Sequence, residues 1–267
     1  MRHLIILALC LLASIATETA APVDEDKPTA EAPKKATDAQ AREALDAFEA
    51  EFGREDFHLP VLKAMNQVRA LERVGKCDHK LVAKELLKHL GEKEPKVWVA
   101  VVDALGNMKL SANLVTPKLR KIYASKKIEV DRLVVVINAL GELRAKKMSK
   151  EFVKLFTHEE DKVVVAAIAA LGKLGDASVL PQLRELYELN NLDPTKGVNV
   201  RVDTGSAGNR DMNRARAAGK RMERLRRKNG KAVTDAMKVT LEQLCGTKIE
   251  SPEELKDWMR KNKARWR

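Results

Sequence analysis

The sequence predicts an all-α fold in which pairs of helices stack into a solenoid. The tripeptide Ala-Leu-Gly recurs at residues 104–106, 139–141 and 170–172, and Ala70-Leu71 gives a fourth copy without the glycine. Leu71, Leu105, Leu140 and Leu171 are therefore 34, 35 and 31 residues apart, which is the length of a helix-turn-helix unit. Aromatic residues make up only 4% of the chain, so its core must consist of Ala, Val, Leu and Ile in closely packed helices.

The first helix of each unit is predicted from apolar residues three and six positions before these leucines. The two columns, which we expect on one helical face, are Val68, Val102, Ile137 and Ile168, and Met65, Val99, Val134 and Val165. Runs such as Val97 to Val102 are also compatible with β-strands, but the repeat length and the Ala-Leu-Gly endings favour helices. In the last unit Thr157 and Glu160 predict a capping box at the start of the first helix.

The second helices are predicted at residues 81–90, 114–124, 148–157 and 179–188. Their equivalent inward positions are Leu87, Leu119, Phe152 and Leu183. Beside these positions run two largely basic columns, which supply the candidate binding residues Lys88, His89, Lys118, Arg120, Lys121, Lys150, Lys154 and Arg184. The alternative interpretation is that these side chains only solvate an exposed face.

Residues 159–188 resemble a short bacterial HEAT repeat of the phycobilisome-lyase type. The resemblance rests on the acidic Glu159-Glu160-Asp161, the Val-rich helix, Ala170-Leu171-Gly172, Gly175-Asp176 and a Leu-rich helix with Pro181 near its start. It extends over about residues 57 to 188 and implies an armadillo-type superhelix whose second helices line the concave face. The Arg that usually follows the first Val is replaced in every unit, once by Trp98, so we expect apolar packing rather than an Asp–Arg ladder between units.

The N-terminal region is predicted to direct export. Residues 1–21 combine Arg2 and His3 with an apolar run and small residues, the pattern of a secretory signal peptide, and the run is too short to span a membrane. Residues 22–36 read as a disordered linker, and residues 37–189 as the solenoid, with a first helix capped by Thr37 and Gln40. An export signal without a disulfide framework is typical of a periplasmic or secreted bacterial protein.

The repeat pattern stops after Leu189. Residues 190–209 are predicted to form a loop insertion, and residues 210–267 a basic helix (210–231) followed by a C-terminal helical module. In this module Leu244-Cys245-Gly246 and Ser251-Pro252-Glu253-Glu254 are similar to a segment that closes many secreted bacterial HEAT proteins.

These features favour a non-catalytic exported scaffold that binds a protein partner on its concave face. The net charge of +12 supports an alternative, a binder of an anionic polymer such as an acidic polysaccharide or a nucleic acid, through the basic columns and the 210–231 helix. We find no motif for a cofactor or a catalytic site, and Cys77, His79 and His89 offer too few ligands for zinc. We therefore expect no enzyme, no cofactor, no metal and no stable insertion into a membrane, and we predict no particular oligomeric state.

Overall fold

The computed structural model describes residues 35–54, 59–125, 127–191 and 230–266, and these residues contain helices and no strand. The helices are α1 (Asp38–Phe52), α2 (Pro60–Val74), α3 (Lys80–Lys88), α4 (Pro95–Gly106), α5 (Ala112–Tyr123), α6 (Val130–Glu142), α7 (Ser149–Lys154), α8 (Asp161–Leu174), α9 (Leu180–Asn191), α10 (Gly230–Cys245), α11 (Pro252–Lys261) and α12 (Lys263–Trp266). Short 3₁₀ turns lie at His89–Gly91, Lys146–Met148, Leu155–Thr157 and Ala177–Val179. The predicted signal peptide, almost all of the linker, and most of the 190–209 loop and the 210–231 helix lie outside the described residues.

The helices form two layers. In the first layer α2, α4, α6, α8 and α10 pack side by side in that order, and we call them the first helices. The second helices α3, α5, α7 and α9 each pack on the first helix that follows them in the chain, as α1 packs on α2. The all-α solenoid predicted from the sequence is confirmed.

The C-terminal helices continue both layers. Helix α10 packs on α8, where the Thr240 hydroxyl donates a 3.0 Å hydrogen bond to the carbonyl oxygen of Ile168. Helix α11 packs on α9, and the Tyr187 hydroxyl donates a 2.6 Å bond to the carbonyl oxygen of Glu250, just before α11. The predicted C-terminal module is therefore a further helix pair of the same stack.

The leucine column of the first helices forms the centre of the core. Leu71, Leu105, Leu140 and Leu171 are fully buried, and Val102, Ile137 and Ile168, three residues earlier, are buried with them. The column six residues earlier does not face inward: Val99, Val134 and Val165 are half-buried and Met65 is exposed. Six residues rotate a helix by about 600°, which places that column roughly 120° from the leucines.

Glycine allows the first helices to approach each other closely. A Cβ atom on Gly106 would lie 3.0 Å from both Cα and Cβ of Ala139, and one on Gly141 would lie 3.0 Å from the same atoms of Ala170. Ala-Leu-Gly thus combines a buried leucine with two small residues. The glycine contacts the next first helix, and the alanine contacts the preceding one. This contact explains why the tripeptide recurs.

Several local predictions can be compared with the helix ends. The capping box at Thr37 is confirmed, since the Thr37 hydroxyl accepts a hydrogen bond from the Gln40 N–H and the Gln40 side chain accepts one from the Thr37 N–H. At Ser251 only half of a capping box forms: the Ser251 hydroxyl accepts from the Glu254 N–H, whereas the Glu254 carboxylate accepts from the N–H of Glu250. The capping box at Thr157 is wrong: Thr157 ends a 3₁₀ turn and its hydroxyl donates to the carbonyl oxygen of Lys154, so α8 begins without a side-chain cap. Trp98 is only 3% exposed and its indole donates to the carbonyl oxygen of Leu90, which confirms a role in core packing.

Candidate functional site

A groove of about 1150 Å³ opens between α2 and α4 on the outer surface of the first-helix layer. Apolar side chains of α2 and α4, Met65, Val68, Val99 and Ala100, line much of it, and Pro95 closes it at the start of α4. We call this feature the α2–α4 groove. It differs in position from the basic columns predicted from the sequence, which lie on the second helices.

The groove lies where the first unit departs from the glycine pattern of the other units. Where Gly106 and Gly141 allow the next first helix to make contact, the first unit carries Glu72, whose side chain lines the groove. The close contact moves to Gly75, on which a Cβ atom would lie 2.8 Å from Cβ of Ala104. Helices α2 and α4 are therefore in close contact near their C-terminal ends, and the groove opens beside that contact.

Exposed apolar side chains extend from the groove along α2. Large hydrophobic residues with high exposure cluster at its start: Leu59 (60%), Val61 (64%), Leu62 (45%) and Met65 (45%). Single exposed hydrophobic residues are common on soluble proteins, whereas a group of them near a groove is a feature of interaction surfaces.

Charged groups that have no ion pair with any described residue surround the apolar floor. The cations are Arg69, Lys76 and Lys96, and the anions are Glu72 and Asp103. Partial burial of its carboxyl raises the pKa of Asp103, although the residue as a whole remains exposed. The rim is thus polar and slightly cationic around an apolar centre, as in many protein interfaces.

The candidate binding residues on the second helices are brought to one layer, but several are neutralised there. Lys88 pairs with Glu85 at 2.6 Å, Lys154 with Glu151 at 2.8 Å, and Arg184 with Glu188 at 3.2 Å. The exposed cations Lys118, Arg120, Lys121 and Lys150 form no ion pair with a described residue. Three of these four lie on α5, which contains no acidic residue.

His89 does not belong to the basic columns. Its ring packs against Phe48 and Phe52 of α1, with ring centroids 5.5 and 4.5 Å apart, and its Nδ1 lies 3.2 Å from a carboxylate oxygen of Glu92. The side chain is one-fifth exposed and joins the cap helix to the core.

The sequence-based alignment of α3 with the other second helices is wrong by one residue. Leu86 is fully buried whereas Leu87 is only partly buried, and Val82 to Leu86 repeats the buried spacing of Val115 to Leu119. Leu86, Leu119, Phe152 and Leu183 are therefore the equivalent inward residues. In the corrected alignment Lys88 falls in the column of Lys121 and Lys154, and His89 falls in an apolar column.

Neither the described carboxylates nor the cysteines form a recognisable reaction centre. The part of the chain that the structure describes contains no group of three His, Cys, Asp or Glu side chains that could hold a metal ion. Both Cys77 and Cys245 are free thiols, and burial raises the pKa of Cys245 to about 11, which suppresses the reactive thiolate. Among the described helices, none is long and apolar enough to cross a membrane.

Comparison with protein families identifies the repeat. Residues 116–198 match the family model of HEAT repeats. The fold is therefore a HEAT-type helical solenoid. HEAT repeats suggest a scaffold for protein interaction and are generally not enzymatic. No curated protein matches the chain.

The groove was not predicted, although the sequence contains a signal for it. Glu72 interrupts a series in which glycine follows the repeat leucine, and Leu62 and Met65 fall on the side of α2 away from Leu71. A search for the unit that departs from its own repeat would have pointed to this surface.

Proposed function

We propose that this HEAT-type solenoid is a non-catalytic exported scaffold and that the α2–α4 groove is its main binding site for a partner protein. The observation that carries the proposal is the apolar groove of about 1150 Å³ at the one junction of described first helices where glycine is replaced by a charged residue. Export rests on the predicted signal peptide.

The groove fits an amphipathic helix of the partner. Two neighbouring helices with an apolar floor between them are the usual receptor for a helix that presents side chains at positions i, i+3, i+4 and i+7. At 1.5 Å per residue, the twelve residues of α4 give a groove about 18 Å long, enough for roughly three turns of a bound helix. The unpaired Arg69, Lys76 and Lys96 favour acidic residues flanking the apolar side chains of that helix.

The test is a selection of helical peptides displayed on phage against the full chain. Met65→Arg places a charge in the groove at an already exposed position, and Val239→Arg makes the same change at a 58% exposed site on α10. We expect selected peptides to lose at least tenfold in affinity with Met65→Arg and to bind Val239→Arg unchanged. Peptides equally sensitive to both changes, or to neither, would place the binding surface elsewhere.

Polyanion binding is the second candidate. It is favoured by one observation, the three exposed cations of α5 without an acidic residue in that helix. The ion pairs on α3, α7 and α9 reduce its support, because they leave the basic surface centred on α5 rather than continuous along the stack.

A further inference from the structure

A second, polar cleft of about 540 Å³ lies at the edge of the solenoid where the first helices end. It spans several successive units, from Lys109 after α4, through Arg144 and Lys146 after α6, to Lys173 and Gly175 at the end of α8. The proposed protein-binding groove shares none of these residues.

The charge of this cleft is strongly positive. Its lining contains four cationic side chains, of Lys109, Arg144, Lys146 and Lys173, and a single carboxylate, Glu142. Lys173 neutralises that carboxylate in an ion pair of 2.8 Å. The other three cations form no ion pair with any residue that the structure describes, although Lys146 interacts electrostatically with the nearby Asp176 carboxylate, so the cleft carries a net positive charge.

Arg144 adopts a backbone conformation that is costly for its residue type. Its φ is +50°, and among the described non-glycine residues it alone has a positive φ. Four residues after the repeat leucine, Arg144 occupies the position that Gly175 fills in the next unit with φ +67°. Glycine adopts this left-handed region without steric cost, whereas an L-residue with a Cβ does not.

The helix dipole does not explain an arginine at this position. A cation near the C-terminal end of α6 is favourable, but Lys146 and Lys147 supply that charge two and three residues later without a positive φ. Strained residues persist where the side chain has a task that outweighs the cost. Compared with a glycine at this position, Arg144 supplies a planar, permanently charged guanidinium.

We propose that this cleft binds a phosphate group, with the Arg144 guanidinium as its principal ligand. A guanidinium donates two parallel N–H bonds to two oxygens of one phosphate, and the two unpaired lysines add point charges on either side. The exposed Gly175, which has no atom within 4 Å of its would-be Cβ, leaves room for the oxyanion to approach the backbone.

Calorimetric titration of the full chain at low ionic strength tests the site with two probes, inorganic phosphate and O-phosphoserine. Arg144→Gly should lower the affinity at least tenfold without lowering the Tm, because glycine relieves the positive φ. Arg144→Gln, which keeps a polar side chain but removes the charge, should show a similar loss. Lys256→Gln removes an exposed charge on α11, outside the cleft, and should change the affinity less than twofold.

The results separate the possible sources of the phosphate. Equal affinities for the two probes would assign the cleft to free phosphate, and tighter binding of O-phosphoserine to a phosphate ester. The proposal is overturned if neither probe binds saturably to the unaltered chain, or if Lys256→Gln loses as much affinity as Arg144→Gly.

Discussion

The close contact between first helices can be tested at Gly106, the last residue of α4. Its absent Cβ would lie 3.0 Å from Cα and Cβ of Ala139. Carbon atoms pack best at about 3.5–4.0 Å, so Gly106→Ala forces α4 and α6 apart by roughly 0.5–1 Å. Overpacking of this kind costs about 1–3 kcal/mol, and the better helix propensity of alanine offsets up to about 1 kcal/mol of it. We expect a net loss of about 1–2 kcal/mol in the free energy of unfolding.

Thermal unfolding followed by circular dichroism measures this loss as a fall in Tm of about 2–8 °C for a chain of this size. Gly91→Ala is the matched control, since no atom lies within 4 Å of that would-be Cβ, and its Tm should not fall. In the double variant Gly106→Ala/Ala139→Gly the added methyl no longer meets a Cβ at position 139 but still meets the Cα there. Part of the overpacking is relieved, so the two changes should cost less together than the sum of their separate costs. Strict additivity, or a Gly106→Ala variant as stable as Gly91→Ala, would refute direct contact between α4 and α6.

Two further predictions concern charged groups. Hydrogen bonds from Lys238 and Lys248 lower the pKa of Glu250 from its ordinary value of 4.5 to about 2, so the stability that this carboxylate contributes is present above pH 4.5 and is lost as the pH falls toward 2. The Tm of Glu250→Gln should therefore fall less than that of the parent over this interval, and parallel curves would contradict the assignment. Reversal of Arg120 and Lys121 to Glu should abolish any steeply salt-dependent binding of heparin. Reversal of the two exposed lysines of α11 is the control and should not abolish it. Equal losses in the two variants would mean that net charge alone drives binding.

The fold could be predicted because the residues that form the repeating contact between first helices are adjacent in the sequence. Ala-Leu-Gly places a buried leucine beside the two small residues that touch the neighbouring helices, so one tripeptide carries both the period and the packing. The second helices lack such a marker. Leu86 and Leu87 are adjacent in the sequence, and spacing alone did not show which of them faces inward. Because Leu87 was chosen, Lys88 and His89 were assigned to the wrong columns.

The continuation of the stack by α10 and α11 was not predicted because the chain interrupts its own period. From Leu105 to Leu171 the units follow at nearly constant spacing, but α10 begins only at Gly230. Its contacts with α8 use Thr240 and Gln243 against Gly172 rather than an alanine, so the tripeptide is absent as well. Only the packing of the helices shows that they extend both layers.

The α2–α4 groove lies at a junction whose helices are already in close contact. A Cβ atom on Gly75 would lie 2.8 Å from Cβ of Ala104, at least as close as the contacts of Gly106 and Gly141 with the next first helix. The groove opens beside this contact, where Glu72 stands in place of the glycine of the other units. Burying a methionine or leucine side chain contributes about 1.5–3 kcal/mol, so leaving Leu62 and Met65 exposed gives up stability that the rest of the stack obtains. A partner that covered these side chains would restore that contribution, and this is the energetic reason for proposing the junction between α2 and α4 as an interface.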